Sequence, residues 1–209
     1  MVPALLTDDK NKLQQMLDLC SGFAGCVQID IMDGEFVPST SVSLDDMMSV
    51  NYSGKVEAHL MVNNPLSWIE PFRKLGAYRI IYHFEIGVDH DFIIDSIKRH
   101  GFEAGIAVNP GTANGDFQHL VHKVDSVLFM SVNPGFYGAP FIPEVLPKIR
   151  EFKNKYPLKT AGIDGGVKLD NAAKIVRESL VDYVCVGSAI LRAADPAAAY
   201  REFTGRING

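Results

Sequence analysis

What most constrains this chain is a repeat of pattern rather than of sequence. Short apolar runs of strand length alternate with longer stretches whose apolar residues recur at helical spacing. The strand candidates are Met1 to Leu6, Cys26 to Ile31, Val56 to Val62, Arg79 to Phe84, Ala104 to Asn109, Ser126 to Val132, Thr160 to Asp164 and Tyr183 to Val186. Between them the helical pattern returns each time. Thr7-Asp8-Asp9 starts a helix with Leu13, Met16, Leu17 and Cys20 on one face, ending near Gly22. Ser43 caps a short helix through Val50, and Pro65 opens one with Trp68, Ile69, Phe72 and Leu75 in a stripe, closed by Gly76. Asp89 to Arg99, Asn114 to His122, Pro143 to Tyr156, Asn171 to Leu180 and Asp195 to Phe203 complete the helices. Eight strand–helix units in 209 residues, about 26 each, predict one α/β domain over residues 1–209, a closed (β/α)8 TIM barrel. An open doubly wound sheet is the competing arrangement, but it calls for a GxGxxG turn after its first strand, and none is present.

Composition narrows what such a domain does. With 47% hydrophobic and 22% charged residues the core is ample, and a net charge of −5 provides no basic field for nucleic acid. Apolar runs fall far short of a membrane span, and no signal-like segment opens the chain. Cys20, Cys26 and Cys185 lack close metal-type spacing, and their odd number fits reduced core thiols in a cytoplasmic protein.

In a barrel the reactive groups stand at the C-terminal ends of the strands. That rule selects Asp30, His59, His83, Asn109, Met130, Asp164 and Gly187. In the second strand, Gln28 and Asp30 alternate with apolar neighbours, so both side chains point to one face. Asp164 ends its own apolar strand and runs into Gly165-Gly166. Strands two and seven lie three apart around an eight-membered ring, so these two carboxylates face one another across the mouth. Carboxylates on opposite sides of a small substrate suit a two-base reaction, in which one removes a proton beside a carbonyl and the other returns one to the opposite face. Two separately solvated or capping aspartates would leave the same pattern.

Asp30, His59 and Asp164 together could hold a divalent cation that stabilises an ene-diolate. His59 alone would read as an ordinary core histidine. Met32, Met61 and Met130 fall at strand ends, as core filler or as a dry wall that raises the pKa of a carboxyl. Gly165-Gly166 and Gly187-Ser188 match the anion site that barrels build after their last two strands, although glycines also serve ordinary turns there. The irregular loop Asn133 to Ala139 is expected to be a lid or a further phosphate contact.

The segments QIDIMDGEFVP, EAHLMVNNP, MSVNPGFYGAPFIPEVLPKIREF, IDGGVKLDNA and VGSAIL, in this order along nearly the whole chain, resemble the ribulose-phosphate 3-epimerase family. The resemblance implies a barrel of the ribulose-phosphate-binding type that interconverts D-ribulose 5-phosphate and D-xylulose 5-phosphate. It places the acid–base pair on Asp30 and Asp164, metal ligands on those two and His59, and the methionine wall on Met32, Met61 and Met130. Phosphate-binding backbone falls on Gly138, Ala139, Gly165, Gly166, Gly187 and Ser188. It further implies a zinc, iron or manganese ion and a sugar phosphate as the partner; charge and hydropathy leave no nucleic-acid or membrane role, and exposed apolar residues in the helices suit a homo-oligomer. The chain departs from the family pattern at Ala4, Gln28, Glu35 and Ser39, where the pattern has serine, a ligand histidine, histidine and asparagine. These four changes are expected to cluster at the reacting end of the sugar, with the phosphate end intact. An epimerase of another ketose phosphate and a non-catalytic phosphosugar-binding barrel remain open alternatives.

Overall fold

A computed structural model describes residues 1–135 and 139–209. Eight parallel strands close into a barrel in sequence order: β1 (Val2–Leu5), β2 (Cys26–Met32), β3 (Lys55–Met61), β4 (Arg79–His83), β5 (Glu103–Val108), β6 (Ser126–Met130), β7 (Thr160–Asp164) and β8 (Tyr183–Val186). The expected strand order and all eight expected strands are present. The helices are α1 (Lys10–Ser21), α2 (Leu44–Met47), α3 (Ile69–Leu75), α4 (His90–Arg99), α5 (Asn114–Phe117), α6 (Val145–Lys155), α7 (Leu169–Ser179), α8 (Ser188–Leu191) and α9 (Pro196–Asn208).

Local chemistry explains most boundaries. Asp9 caps α1 by accepting from the Asn11 and Lys12 amides, and Asp89 and Asp195 cap α4 and α9 in the same way. Gly76 ends α3 in the left-handed conformation that glycine adopts without a Cβ clash. Three helical segments are shorter than expected. Pro65–Trp68 is a 3-10 turn ahead of α3, α2 stops at Met47 rather than Val50, and the segment after α5 tightens into a 3-10 turn at Gln118–Leu120. Short apolar stripes do not distinguish these geometries.

Because both faces of a barrel strand are covered, apolar residues occupy both, and their direction decides their role. Ile29 and Ile31 of β2, Leu60 of β3, Tyr82 of β4 and Phe129 of β6 face the helices in the main core, with Phe117 and Phe152 packed on Phe129. Each such side chain contributes roughly 1.5–3 kcal/mol on burial. The barrel interior is a smaller apolar cluster of Val2, Ala4, Ile81, Ala107, Leu128, Met130 and Cys185. Gly162 makes room there, since a Cβ on it would lie 2.3 Å from the Tyr183 ring. Parallel register sets the inward side chains level: Gln28 with Ala4 and Glu57, Asp30 with His59, Met32 with Met61, and Asp164 with Met130 and Cys185. That register carries Asp30, His59, His83 and Asp164 to the barrel mouth and leaves Glu57 and Arg79 paired at its floor.

Candidate active site

At the C-terminal end of the barrel a cavity of about 1140 Å³ is lined by Asp30, His59 and Asp164. Met32, Met61, Met130, Ala139, Gly165, Gly166, Gly187 and Ser188 line it as well. The expected catalytic, methionine and phosphate residues therefore meet in one cavity, except Gly138, which lies outside the described residues. Phe136 and Tyr137 of the irregular loop also lie outside them. Gln28 and His83 stand behind the cavity wall, bonded to Asp30, Asp164 and His59, and Asn109 does not line it. Ala4 lines the cavity, whereas Glu35 faces Asn63 in the loop after β2 and Ser39 donates to the Gly135 carbonyl. The family departures thus divide. Ala4 and Gln28 belong to the barrel interior, and Glu35 and Ser39 belong to a loop that the sequence pattern alone could not set apart.

The carboxylates are held through one oxygen each. His59 Nδ1 stands 2.9 Å from Asp30 Oδ1 and 3.4 Å from Asp164 Oδ2. Gln28 Nε2 donates to the same two oxygens, at 2.9 and 2.7 Å. Asp30 Oδ2 and Asp164 Oδ1 have no protein hydrogen-bond partner among the described residues. Both aspartates are 9% exposed, enough to reach the cavity. Strands on opposite sides of the ring thus present one free carboxylate oxygen each to a shared space.

Burial and the neighbouring Asp164 push the Asp30 carboxyl up to about 6, against the hydrogen bonds from His59 and Gln28. For His59 burial acts in the opposite sense, but the bonds to Asp164 and Asp30 outweigh it and raise the imidazole to about 10. His59 is then protonated on both nitrogens, and its Nε2–H donates to His83 Nε2 at 3.0 Å. His83, lowered by burial to about 4, is the neutral acceptor, and its Nδ1–H faces Glu85 Oε2 at 3.3 Å. Glu85 is tied in turn to the Asn109 amide and the Thr112 hydroxyl. This chain from β4 into the loop after β5 fixes the His59 ring, and Glu85 carried no sequence signal beyond its place just past a strand end.

Asp30, His59 and Asp164 offer one ligand atom each, all within 4.8 Å of one another. Two hard oxygens and an imidazole fit a divalent cation. The Gln28 amide stands beside this set, with its N–H groups turned toward the carboxylates that would hold the ion.

Past β7 the chain turns through Gly165 (φ +110°) and Gly166 (φ +63°), conformations that disfavour a side chain. A Cβ on Gly165 would also lie 2.5 Å from Val132 Cγ2. Ser131 Oγ donates to the Gly165 carbonyl and Asn171 Nδ2 to that of Gly166, which fixes this turn at the cavity wall. All three cysteines are free thiols. Cys185, expected as core filler, lines the cavity and donates to Gln28 Oε1 at 3.1 Å. Among the described residues no helix is long and apolar enough to cross a membrane.

Comparison with known proteins bears on this geometry. A model of the ribulose-phosphate 3 epimerase family matches residues 1–191. The ribulose-phosphate 3-epimerase of Mycobacterium leprae (strain TN) is 35% identical over 213 residues, covering 95% of this chain and 91% of that protein. A relative in Oryza sativa subsp. japonica, named as the cytoplasmic isoform of ribulose-phosphate 3-epimerase, is 33% identical and covers 94% and 89%. Among solved structures, 3-hexulose-6-phosphate synthase superposes with a TM-score of 0.70 at 16% identity, covering 99% of this chain and 100% of that one. Phosphoribosyl anthranilate isomerase from Thermococcus kodakaraensis gives 0.67 at 15%, with both chains covered in full. At such identities the two structures speak for the fold alone.

Proposed function

The chain belongs to the ribulose-phosphate 3-epimerase family, and from that premise we propose that it interconverts D-ribulose 5-phosphate and D-xylulose 5-phosphate. The observation that carries this reading is the pair of free carboxylate oxygens, on Asp30 and Asp164, entering one cavity from opposite strands. With C3 of the sugar between them, one carboxylate takes the C3 proton and the C–H electron pair passes into an ene-diolate. The other carboxylate then delivers a proton to the opposite face. No other bond breaks, and one unit of negative charge has moved from one aspartate to the other. A carboxyl at about 6 is poised to gain and lose a proton near neutral pH, which suits Asp30 to this exchange. Met32, Met61 and Met130 wall the reacting end with apolar surface, and the phosphate rests on the backbone of Ala139, Gly165, Gly166, Gly187 and Ser188. Gly138 completes that set by sequence.

Were a zinc, iron or manganese ion to displace the Gln28 amide, Asp30, His59 and Asp164 would be the residues to hold it, and it would supply Lewis-acid stabilisation to the ene-diolate. Residues 1–209 act as one catalytic domain in the cytoplasm, which the free thiols and the name of the rice relative support. Exposed Phe92, Leu158 and Leu180 support a homo-oligomer. A second reading, an epimerase of another ketose phosphate, is favoured by Ala4, which lines the cavity without the hydroxyl of the family pattern.

Incubation with ribulose 5-phosphate in deuterated water, followed at C3 by NMR, tests the proposal. Deuterium at C3 together with xylulose 5-phosphate is expected. A bound sugar phosphate that keeps its C3 proton would overturn it, and other ketose phosphates would then be assayed.

A further inference from the structure

Gln28 is fully buried, and its amide has every polar position engaged. Nε2 spans the carboxylate pair, bonded to Asp30 Oδ1 at 2.9 Å and Asp164 Oδ2 at 2.7 Å, while Oε1 accepts the Cys185 thiol at 3.1 Å. Turning the amide over would set a carbonyl oxygen against two carboxylate oxygens at those same distances, acceptor against acceptor with no proton between. The Cys185 thiol would also lose its acceptor. Without a cation, the bridging orientation is therefore the one the surroundings allow.

The bridged oxygens are also the two that His59 Nδ1 approaches. A cation ligated by Asp30, His59 and Asp164 has to share that space with an amide nitrogen, whose lone pair is delocalised and does not ligate metals. It must displace the amide or rotate it by half a turn at the expense of the Cys185 bond.

We propose that the Gln28 amide holds the carboxylate pair in its working geometry in place of a cation, so that proton exchange proceeds without bound metal. This rests on the epimerase reading above. Two aspartates that exchange one proton carry their negative charge on one member and then on the other. A donor with one N–H on each keeps a hydrogen bond on the charged member in both half-steps, and it needs no rearrangement between them. Gln28 thus acts through Asp30 and Asp164 as a positioning residue.

The test uses the full chain stripped with chelator. Its metal content is measured by mass spectrometry, and manganese or zinc alone is titrated by calorimetry without substrate. Weak metal binding and unchanged turnover after stripping are expected. Gln28→His should raise metal affinity by roughly 10–100-fold. Stripped of metal, the same variant should lose roughly 10²-fold in kcat with little change in KM, and added metal should restore it. Damage that was merely structural would not be rescued by metal. Cys185→Ala is a second and milder variant that removes the bond holding the amide, so metal affinity should rise, by less than in Gln28→His. Tight, stoichiometric metal in the wild-type protein, or turnover lost on stripping and regained with metal, overturns the proposal. Weak metal binding with no exchange at C3 of ribulose 5-phosphate overturns the epimerase reading instead.

Discussion

The barrel interior buries charge at both ends, and in both places two carboxylates share one cation. At the floor, Arg79 of β4 stands 3.2 Å from Glu57 and 2.7 Å from Glu103, and the Tyr78 hydroxyl donates to Glu57 at 3.1 Å. At the mouth, the imidazolium of His59 lies between Asp30 and Asp164. Glu57 and His59 are two residues apart on one inward face of β3, and Arg79 and His83 are four apart on β4. The composition of the clusters is alike, and the mobility of their protons is not. A guanidinium keeps its charge at any ordinary pH, so the floor is a fixed ionic clasp, with burial pushing Glu57 up against the pull of Arg79. The mouth joins its carboxylates with a histidine and an amide, and leaves one oxygen of each free. The same folding rule, that buried charge must be partnered, yields structure at one end and chemistry at the other.

The contrast is sharpest under removal of a carboxylate. Asp30→Asn or Asp164→Asn should lower epimerisation by at least ~10³-fold while sugar-phosphate binding persists. Glu57→Gln should leave kcat unaltered and register only in stability. Kinetics beside calorimetric binding would check both, and a floor variant that lost turnover would erase the distinction.

Next in size is the loss of the floor cation. Arg79→Met leaves Glu57 buried and unpaired, and should cost about 3–5 kcal/mol in urea unfolding. Replacing Glu57 by leucine in the same chain should recover most of that, because a packed apolar pair avoids the desolvation of charge.

A smaller effect follows from pH. Asp30 must be ionised to accept a proton, so kcat/KM should fall as pH drops through about 6. An acid limb near 3.8, the ordinary carboxyl value, would remove the burial argument for the mouth. The sign for stability is opposite to that of a paired surface carboxylate. With the folded value raised, the Asp30 contribution to stability is present below pH 3.8 and is lost as pH rises through about 6. Smallest is Gly165→Ala, which strains a turn at φ +110° by about 1–3 kcal/mol. It should raise KM more than it lowers kcat, as steady-state kinetics would show.

The legible part of this molecule was the part written locally. Apolar runs and caps marked all eight strands, and the polar residues at their ends led to Asp30, His59 and Asp164. What stayed hidden depends on contacts between distant strands. Gln28 and Asp164 are 136 residues apart, His59 and His83 are 24 apart, and the Glu57–Arg79 pair spans 22. Glu57 lay unremarked inside an apolar strand, because only parallel register places Arg79 beside it. Cys185 read as core filler for the same reason, since a residue on β8 gains a polar role only when the ring closes onto β2. Glu35 and Ser39 are expected at the reacting end from the family pattern alone, and neither lines the cavity: Glu35 faces Asn63, and Ser39 bonds the Gly135 carbonyl at its edge.

Proton traffic at C3 in the single-carboxylate variants tests the two-base account most directly. In deuterated water, Asp164→Asn and Asp30→Asn should each wash deuterium into C3 of one epimer, a different epimer for each variant, without converting it to the other. If either variant still epimerised, or if both exchanged the same epimer, the carboxylates would not be acting on opposite faces and the account would fail.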